Sequence, residues 1–93
     1  MVTCTQLQAA LQDAQTAATT IHSAALQAEA TYTTENGLLH ALQANMPPDQ
    51  AAITIQTAVV ATAFTIYISL KAADMAAQQS VSNIQAAMTA RGC

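Results

Sequence analysis

Charged side chains are scarce in this sequence, with two basic and five acidic residues among 93. A typical soluble domain has about a quarter of its residues charged. Lys71 and Arg91 lie far apart, so no basic patch exists for a phosphate backbone, and we expect no nucleic-acid partner. A single copy would also present an uncharged surface that promotes association. The shortage of charge therefore predicts a surface largely covered by further copies of the chain or by a partner.

The residues that build catalytic, metal and phosphate sites are also rare. Two glycines cannot supply a glycine-rich phosphate loop. His22 and His40 lack carboxylates at the spacing of a metal site. No base lies close in sequence to Cys4 or Cys93, as a cysteine nucleophile would require. We therefore expect no enzyme, no catalytic residues, no cofactor and no metal.

The chain is short, and chains of this length bury only about 60–65% of the surface that they expose when unfolded. Disulfides, metals or oligomerisation usually compensate. Because the chain has only two cysteines and no metal-ligand cluster, oligomerisation is the leading expectation. The sequence leaves three states open for Cys4 and Cys93: a disulfide within the chain, a disulfide between chains, or free thiols. The first residues lack the basic and apolar regions of a Sec signal peptide, which favours the cytoplasm, with Sec-independent export or a membrane as alternatives. Cytoplasmic thiols stay reduced unless assembly protects them.

One strong helix breaker, Pro47-Pro48, divides the chain into two stretches of similar length, and Asp49 is a good N-cap for the second. We predict one all-α domain over residues 1–93: a long antiparallel two-helix hairpin with helices at about 4–45 and about 49–91, packed in an oligomer or polymer. Folding at the prolines brings Cys4 level with Cys93.

Apolar or small residues recur at alternating steps of three and four in both stretches, the spacing of helices that pack along one line. We call these positions the seam. They are Leu7, Leu11, Ala14, Ala18, Ile21, Ala25, Ala28, Tyr32, Leu39, Leu42 and Met46 in the first helix, with Glu35 as its charged member, and Ile53, Gln56, Val60, Ala63, Tyr67, Leu70, Asp74, Ala77, Val81, Ile84 and Met88 in the second. The sequence TYTTENG favours a kink or a short break near Asn36-Gly37.

Residues 51–70, AAITIQTAVVATAFTIYISL, carry no charge and allow three interpretations. The length suits a membrane span, but the segment contains threonines, Ser69 and Gln56 and lacks flanking basic clusters and Trp. Its β-branched residues suit a strand, which would have no pairing partner. A helix covered by protein on two sides also explains a second apolar row: Ile55, Val59, Ile66, Ala73 and Ala76. We adopt the interpretation of a helix covered by protein. The predicted assembly faces include Ile55, Val59, Val60, Ile66, Tyr67, Leu70, Val81 and Ile84.

His22 and Asp74 come level in the hairpin, and Asp74 lies on the apolar seam. Histidine is the side chain that changes charge near neutrality, so this pair is a candidate pH switch. A static polar contact that fixes helix register is the alternative. The same reasoning predicts register contacts between His40 and Gln56 and between Glu29 and Tyr67.

Residues 64–90, FTIYISLKAADMAAQQSVSNIQAAMTA, resemble the small-residue helix of R-body (Reb, killing trait) structural proteins. Ile66-Tyr67 matches the Leu-Tyr-like dipeptide of that family, and Ala76-Ala77-Gln78-Gln79-Ser80-Val81 matches its Ala-Ala-Gln-Asn-Ala-Val segment, with Gln79 in place of Asn. Asn83 and Gln85 stand in its glutamine-rich part. The resemblance implies a bacterial cytoplasmic protein polymer, a coiled ribbon that some members extend on acidification.

Three functions follow as expectations. The first is a structural subunit that assembles with itself, or with a related paralogous subunit, into a filament, ribbon or other polymer. The second is a holin-like or pore-forming hairpin that inserts residues 51–70 into a membrane. The third is a type VII-like secreted hairpin that forms a heterodimer, although the Trp-x-Gly turn of that family is absent because the chain has no Trp.

Overall fold

The computed structural model describes residues 2–93, which form two long antiparallel helices. Helix α1 spans Cys4–Ala44 and helix α2 spans Gln50–Ala90, each 41 residues long. The hairpin is a rod of 69 × 14 × 14 Å. The predicted all-α hairpin is confirmed, and the helix bounds lie within one residue of those expected from the sequence. The turn between the helices contains Pro47 and Pro48, as predicted.

Side-chain caps fix where each helix begins. The Gln6 backbone N–H donates to Thr3 Oγ1 at 3.2 Å, and the Thr3 backbone N–H donates to Gln6 Oε1 at 2.9 Å, which completes a capping box at the start of α1. At the start of α2 the Ala52 backbone N–H donates to Asp49 Oδ1 at 3.1 Å. Such caps stabilise a helix by about 1 kcal/mol each because they satisfy backbone donors that have no partner within the helix.

The threonine-rich segment 51–70 is helical throughout, so the strand interpretation is wrong. Its threonine hydroxyls donate to the carbonyl oxygens four residues earlier, as Thr57 does to Ile53 at 2.7 Å and Thr65 to Ala61 at 3.0 Å. These bonds satisfy the hydroxyl groups on the helix itself. Threonine therefore fits this exposed helix without a neighbouring strand.

The two helices meet along the predicted seam. The seam positions of both helices are half-buried or buried, with the exception of Met46, which is 87% exposed because α1 ends at Ala44. Six seam positions are alanine, and most of the others carry larger apolar side chains that stay half-buried. Among residues 2–93 the buried apolar residues are Ala25 and Ala63 alone. One hairpin therefore has almost no enclosed core of its own.

The predicted break near Asn36-Gly37 is wrong, because α1 runs without interruption through both residues. Local helix propensity is poor there, but Leu39 and Leu42 continue the seam beyond the weak segment. Gln56 of α2 also donates a hydrogen bond to the backbone carbonyl of Glu35 at 2.9 Å. Packing and this inter-helix bond outweigh a propensity cost of about 1 kcal/mol for glycine.

A disulfide joins Cys4 at the start of α1 to Cys93 after the end of α2. Of the arrangements left open by the sequence, the structure has the bond within one hairpin. Arg91 Nη1 donates to the Val2 carbonyl at 2.6 Å beside it. The far end of the hairpin is thus closed covalently, opposite the Pro47-Pro48 turn.

Replacing Gly37 with Ala should raise the free energy of unfolding by about 0.5–1 kcal/mol, because Gly37 is inside α1 and an added Cβ would meet no atom within 4 Å. Gly92→Ala is the matched control and should lower stability, since its φ of +75° strains other residues. Chemical denaturation measures both. A destabilised Gly37→Ala variant would show that the helix needs a glycine there.

Removing the disulfide with Cys4→Ser and Cys93→Ser should lower the free energy of unfolding by about 4 kcal/mol, because the bond closes a loop that spans 89 positions and restricts the unfolded chain. Denaturation of the wild type with and without a thiol reductant should show the same loss. Equal stability of the reduced and oxidised proteins would contradict the expectation.

Candidate functional site

A polar cluster lies in the otherwise apolar seam at Asp74, whose residue surface is 9% exposed. The His22 Nδ1–H donates to Asp74 Oδ2 at 2.9 Å, and Gln78 Nε2 donates to Oδ1 at 3.1 Å. Both carboxylate oxygens are thus satisfied. His22 comes from α1 and its side chain is 53% exposed, so water reaches the ring while the carboxylate is largely covered. His22 and Asp74, which the sequence predicts to lie at the same level, are thus in contact in the structure.

These contacts set the charge state of the cluster. The hydrogen bond from His22 lowers the pKa of Asp74 below its ordinary value of 3.8, burial opposes this shift, and the bond from Gln78 and the charge of a protonated His22 lower it further. Asp74 is therefore ionised at neutral pH, and as an ionised carboxylate it only accepts hydrogen bonds. This requires the proton of the histidine contact to be on His22 Nδ1.

A second polar contact crosses the seam nearer the turn. Gln56, a buried residue of α2, donates through Nε2 to Glu35 Oε2 at 2.7 Å as well as to the Glu35 carbonyl oxygen. The predicted contact between His40 and Gln56 is wrong, because Glu35 occupies the seam whereas His40 is exposed. Glu29 and Tyr67 line one groove, yet no hydrogen bond between them is found within residues 2–93.

Aromatic side chains meet between these two polar contacts. The rings of Tyr32 and Phe64 lie edge to face with centroids 5.2 Å apart, and Tyr67 is 6.2 Å from Tyr32. Lys71 Nζ lies 5.8 Å from the Tyr67 ring centroid. Edge-to-face packing of this kind contributes about 0.5–1.5 kcal/mol beyond the buried area. The largest side chains of the seam are therefore concentrated in its middle.

These polar and aromatic contacts align the two helices. Within residues 2–93 no group of three His, Cys, Asp or Glu side chains could hold a metal ion. In the His22–Asp74 pair, both carboxylate oxygens of Asp74 are engaged, one with His22 Nδ1 and the other with Gln78. What the pair can do is fix the register of the hairpin and respond to protonation.

The outer surface of the hairpin is where large apolar side chains are exposed. Residues seven apart lie on the same side of helices packed in this way. We define the uncharged face as two such rows: Ala10, Ala17, Ala24, Thr31 and Leu38 of α1, with Ala52, Val59, Ile66, Ala73, Ser80 and Ala87 of α2. The name refers to these two rows. A groove lined by Thr31, Ile55, Val59 and Ile66, together with the seam residue Glu35, shows that both rows and the adjacent Ile55 lie on one side.

The opposite side of the hairpin has a different character. We define the mixed face as Gln15, His22 and Glu29 of α1 with Phe64, Lys71 and Gln78 of α2, bordered by the exposed Leu26, Ile68 and Met75. One groove on this side is lined by His22, Leu26, Glu29, Lys71 and Asp74. Both sides of α2 thus expose large apolar groups. On the mixed face the charged residues Glu29 and Lys71 lie within the rows themselves, whereas on the other side Asp13 and Glu35 lie at the border of the rows.

The residues predicted to form assembly faces divide into two groups. Val60, Tyr67, Leu70, Val81 and Ile84 are half-buried in the seam against α1. Ile55, Val59 and Ile66 are 67%, 39% and 51% exposed. Sequence reasoning named the second row of α2 but missed its partner row on α1, which the heptad spacing of Ala10, Ala17 and Ala24 could have indicated.

Helix α2 is long and apolar enough to cross a membrane, judged by length and composition. No protein-family model, curated protein or solved structure matches this chain.

Acid should destabilise the hairpin through Asp74. Because its pKa is lower in the folded state, its contribution is present above the ordinary value of 3.8 and is lost as pH falls through the folded pKa. Asp74→Asn should therefore reduce the loss of unfolding free energy between pH 6 and pH 2.5, measured by chemical denaturation. Asp13→Asn, at an exposed position of α1, is the control and should keep the wild-type dependence. An Asp74→Asn curve parallel to the wild type would contradict this assignment.

Proposed function

We propose that this chain is a structural subunit that assembles with copies of itself into a filament, ribbon or similar polymer. The observation that carries the proposal is the exposure of large apolar side chains on both sides of α2. Ile55 and Ile66 are 67% and 51% exposed on one side, and Phe64, Ile68 and Met75 are 46%, 45% and 66% exposed on the other. Large exposed apolar surfaces usually mark interaction sites. Two such sides on one subunit allow each copy to contact two neighbours.

The weakness of the isolated hairpin supports the same proposal. A rod with two buried alanines as its apolar core gains little from its own packing, and burial of apolar surface is the main favourable term in folding. Contacts with neighbouring copies would bury the exposed isoleucines at about 25 cal/mol per Å². The few formal charges add little desolvation cost. The resemblance of residues 64–90 to R-body proteins favours a polymer of this kind as well.

A membrane role is the second candidate, because α2 is long and apolar enough to span a bilayer. Against it, α2 carries Gln56 and Asp74 on the side that contacts α1. Gln56 bonds to Glu35 of α1, and Asp74 accepts one of its two hydrogen bonds from His22 of α1. Inserting α2 alone would separate these groups from their partners, which is costly in hydrocarbon. Assembly in water retains every one of these contacts.

We place the assembly in the cytoplasm, with export by a Sec-independent route as the alternative. Cys4 and Cys93 are both exposed in the single hairpin, so a reducing cytoplasm would open the disulfide unless neighbouring copies cover it. The response to acid that the R-body resemblance implies would act through the His22–Asp74 contact.

Sedimentation velocity and electron microscopy test the proposal directly. The purified wild type at micromolar concentration, without detergent, should form large particles of regular shape. The double variant Ile66→Lys with Ile68→Lys places a charge on each side of α2 and should yield monomers of unchanged helicity, measured by circular dichroism. Thr16→Lys with Ser23→Lys, at exposed polar positions of α1 that belong to neither face, is the control and should still assemble.

Two outcomes would contradict the proposal. The first is a monodisperse wild-type monomer. The second is wild-type protein that stays soluble alone but binds vesicles of phosphatidylcholine and phosphatidylglycerol in a flotation assay, which would favour the membrane role.

A further inference from the structure

The uncharged face is better suited to a protein contact than the mixed face. Its two rows contain alanine, serine, threonine, leucine, valine and isoleucine. Two carboxylates border them: Glu35, which lines the groove and accepts a hydrogen bond from Gln56, and Asp13, which is three residues from Ala10 and four from Ala17. Covering the mixed face would instead remove water from His22, Glu29 and Lys71. Burying charges is costly unless each one gains a partner. The first contact between copies should therefore form on the uncharged face.

Side-chain size changes along the uncharged face. In the half near the Pro47-Pro48 turn the face carries Leu38, Val59 and Ile66, with Ile55 beside them and with the smaller Thr31 and Ala52. In the half near the disulfide it carries small residues, which are Ala10, Ala17, Ala24, Ala73, Ser80 and Ala87. The side chains of the uncharged face therefore project further near the turn than near the disulfide.

This gradient distinguishes the two ways in which a second copy could lie on the face. In a parallel pair the large side chains of both copies would meet at one end and the alanines at the other, so the rods would be held apart at the turn. In an antiparallel pair each large half meets a small half, and the distance between the rods stays constant. Interiors pack at high density when large residues face small ones. The antiparallel pair is favoured.

The available area is sufficient for a stable dimer. A flat face of 69 Å by 14 Å has an area of about 970 Å². Stable interfaces bury about 800 Å² on each partner. A pair that overlapped only at the large side chains would cover less than half of the face and fall below that value. Full-length overlap is needed, and the antiparallel arrangement provides it.

We infer that the repeating unit of the assembly is an antiparallel dimer in which two copies pack their uncharged faces together, with their disulfide-bonded ends at opposite ends of a four-helix bundle. This inference rests on the proposed function and specifies its first interface. The dimer has twofold symmetry, so each copy uses the same residues. The mixed faces point outward on both sides, where Phe64, Ile68 and Met75 remain for contacts between dimers.

Two matched substitutions test the face. Ile66 and Ile68 are 51% and 45% exposed and lie on opposite sides of α2. Ile66→Lys should weaken the dimer about 30-fold or more, as expected when a central apolar contact is lost. Ile68→Lys should leave the dimer intact. Sedimentation equilibrium measures both, and circular dichroism checks that each variant keeps the helicity of the wild type.

A distance measurement tests the orientation. A spin label attached to an azide-bearing residue at position 8 keeps the disulfide intact and lies outside the uncharged face. With 1.5 Å per helical residue, the two labels of an antiparallel dimer should be about 50 Å apart. In a parallel pair they should be within about 30 Å, because each hairpin is 14 Å thick. Pulsed electron paramagnetic resonance on the Ile68→Lys dimer measures this distance.

The results separate failure of this inference from failure of the proposed function. A dimer that is lost in Ile68→Lys and kept in Ile66→Lys would overturn the choice of face. A distance within about 30 Å would overturn the orientation, while self-assembly would stand in both cases. A wild-type monomer that binds phosphatidylcholine and phosphatidylglycerol vesicles through Ile66 would overturn both proposals, with lipid as the occupant of the face.

Discussion

Close approach of two alanine-rich helices along one seam is the constraint on which the rest of this structure depends. Apolar residues at three-four spacing, six of them alanine, allow the helices to meet over their whole length, but most of these side chains stay half-buried. Ala25 and Ala63 are enclosed, while the larger Ile55 and Ile66 remain outside. The geometry that makes the hairpin thin therefore also leaves its larger apolar groups available for other contacts.

Apolar side chains alone specify the register of two helices weakly, because a shift by one heptad again places apolar residues against apolar residues. The polar contacts make one register preferable. Asp74 bonds to His22 and Gln56 bonds to Glu35 at separate levels of the rod, and a shifted hairpin would leave both buried groups without partners. Buried polar groups are known to select one arrangement in this way in other helical assemblies. The disulfide adds a third fixed point at the end.

Regular spacing and the Pro47-Pro48 breaker made three features predictable from the sequence. These are the seam, the turn, and the position of His22 opposite Asp74. The continuity of α1 through Asn36-Gly37 could not be predicted, because local propensity does not include the packing of Leu39 or the bond from Gln56. The partner of Gln56 was also missed, since counting residues from the turn named the exposed His40 and not the seam residue Glu35. The uncharged face requires knowing which rows of the two helices share a side, and a single helical pattern does not contain that information.

The bond between Cys4 and Cys93 makes residues 4–93 a closed covalent ring. Neighbouring copies of an open helical hairpin can exchange helices, which entangles the subunits of an assembly. A ring cannot lend one of its helices to a neighbour and replace it with another. In the proposed assembly each subunit would therefore enter and leave as an intact rod, and the contacts between subunits would form and break without any unfolding of the hairpin.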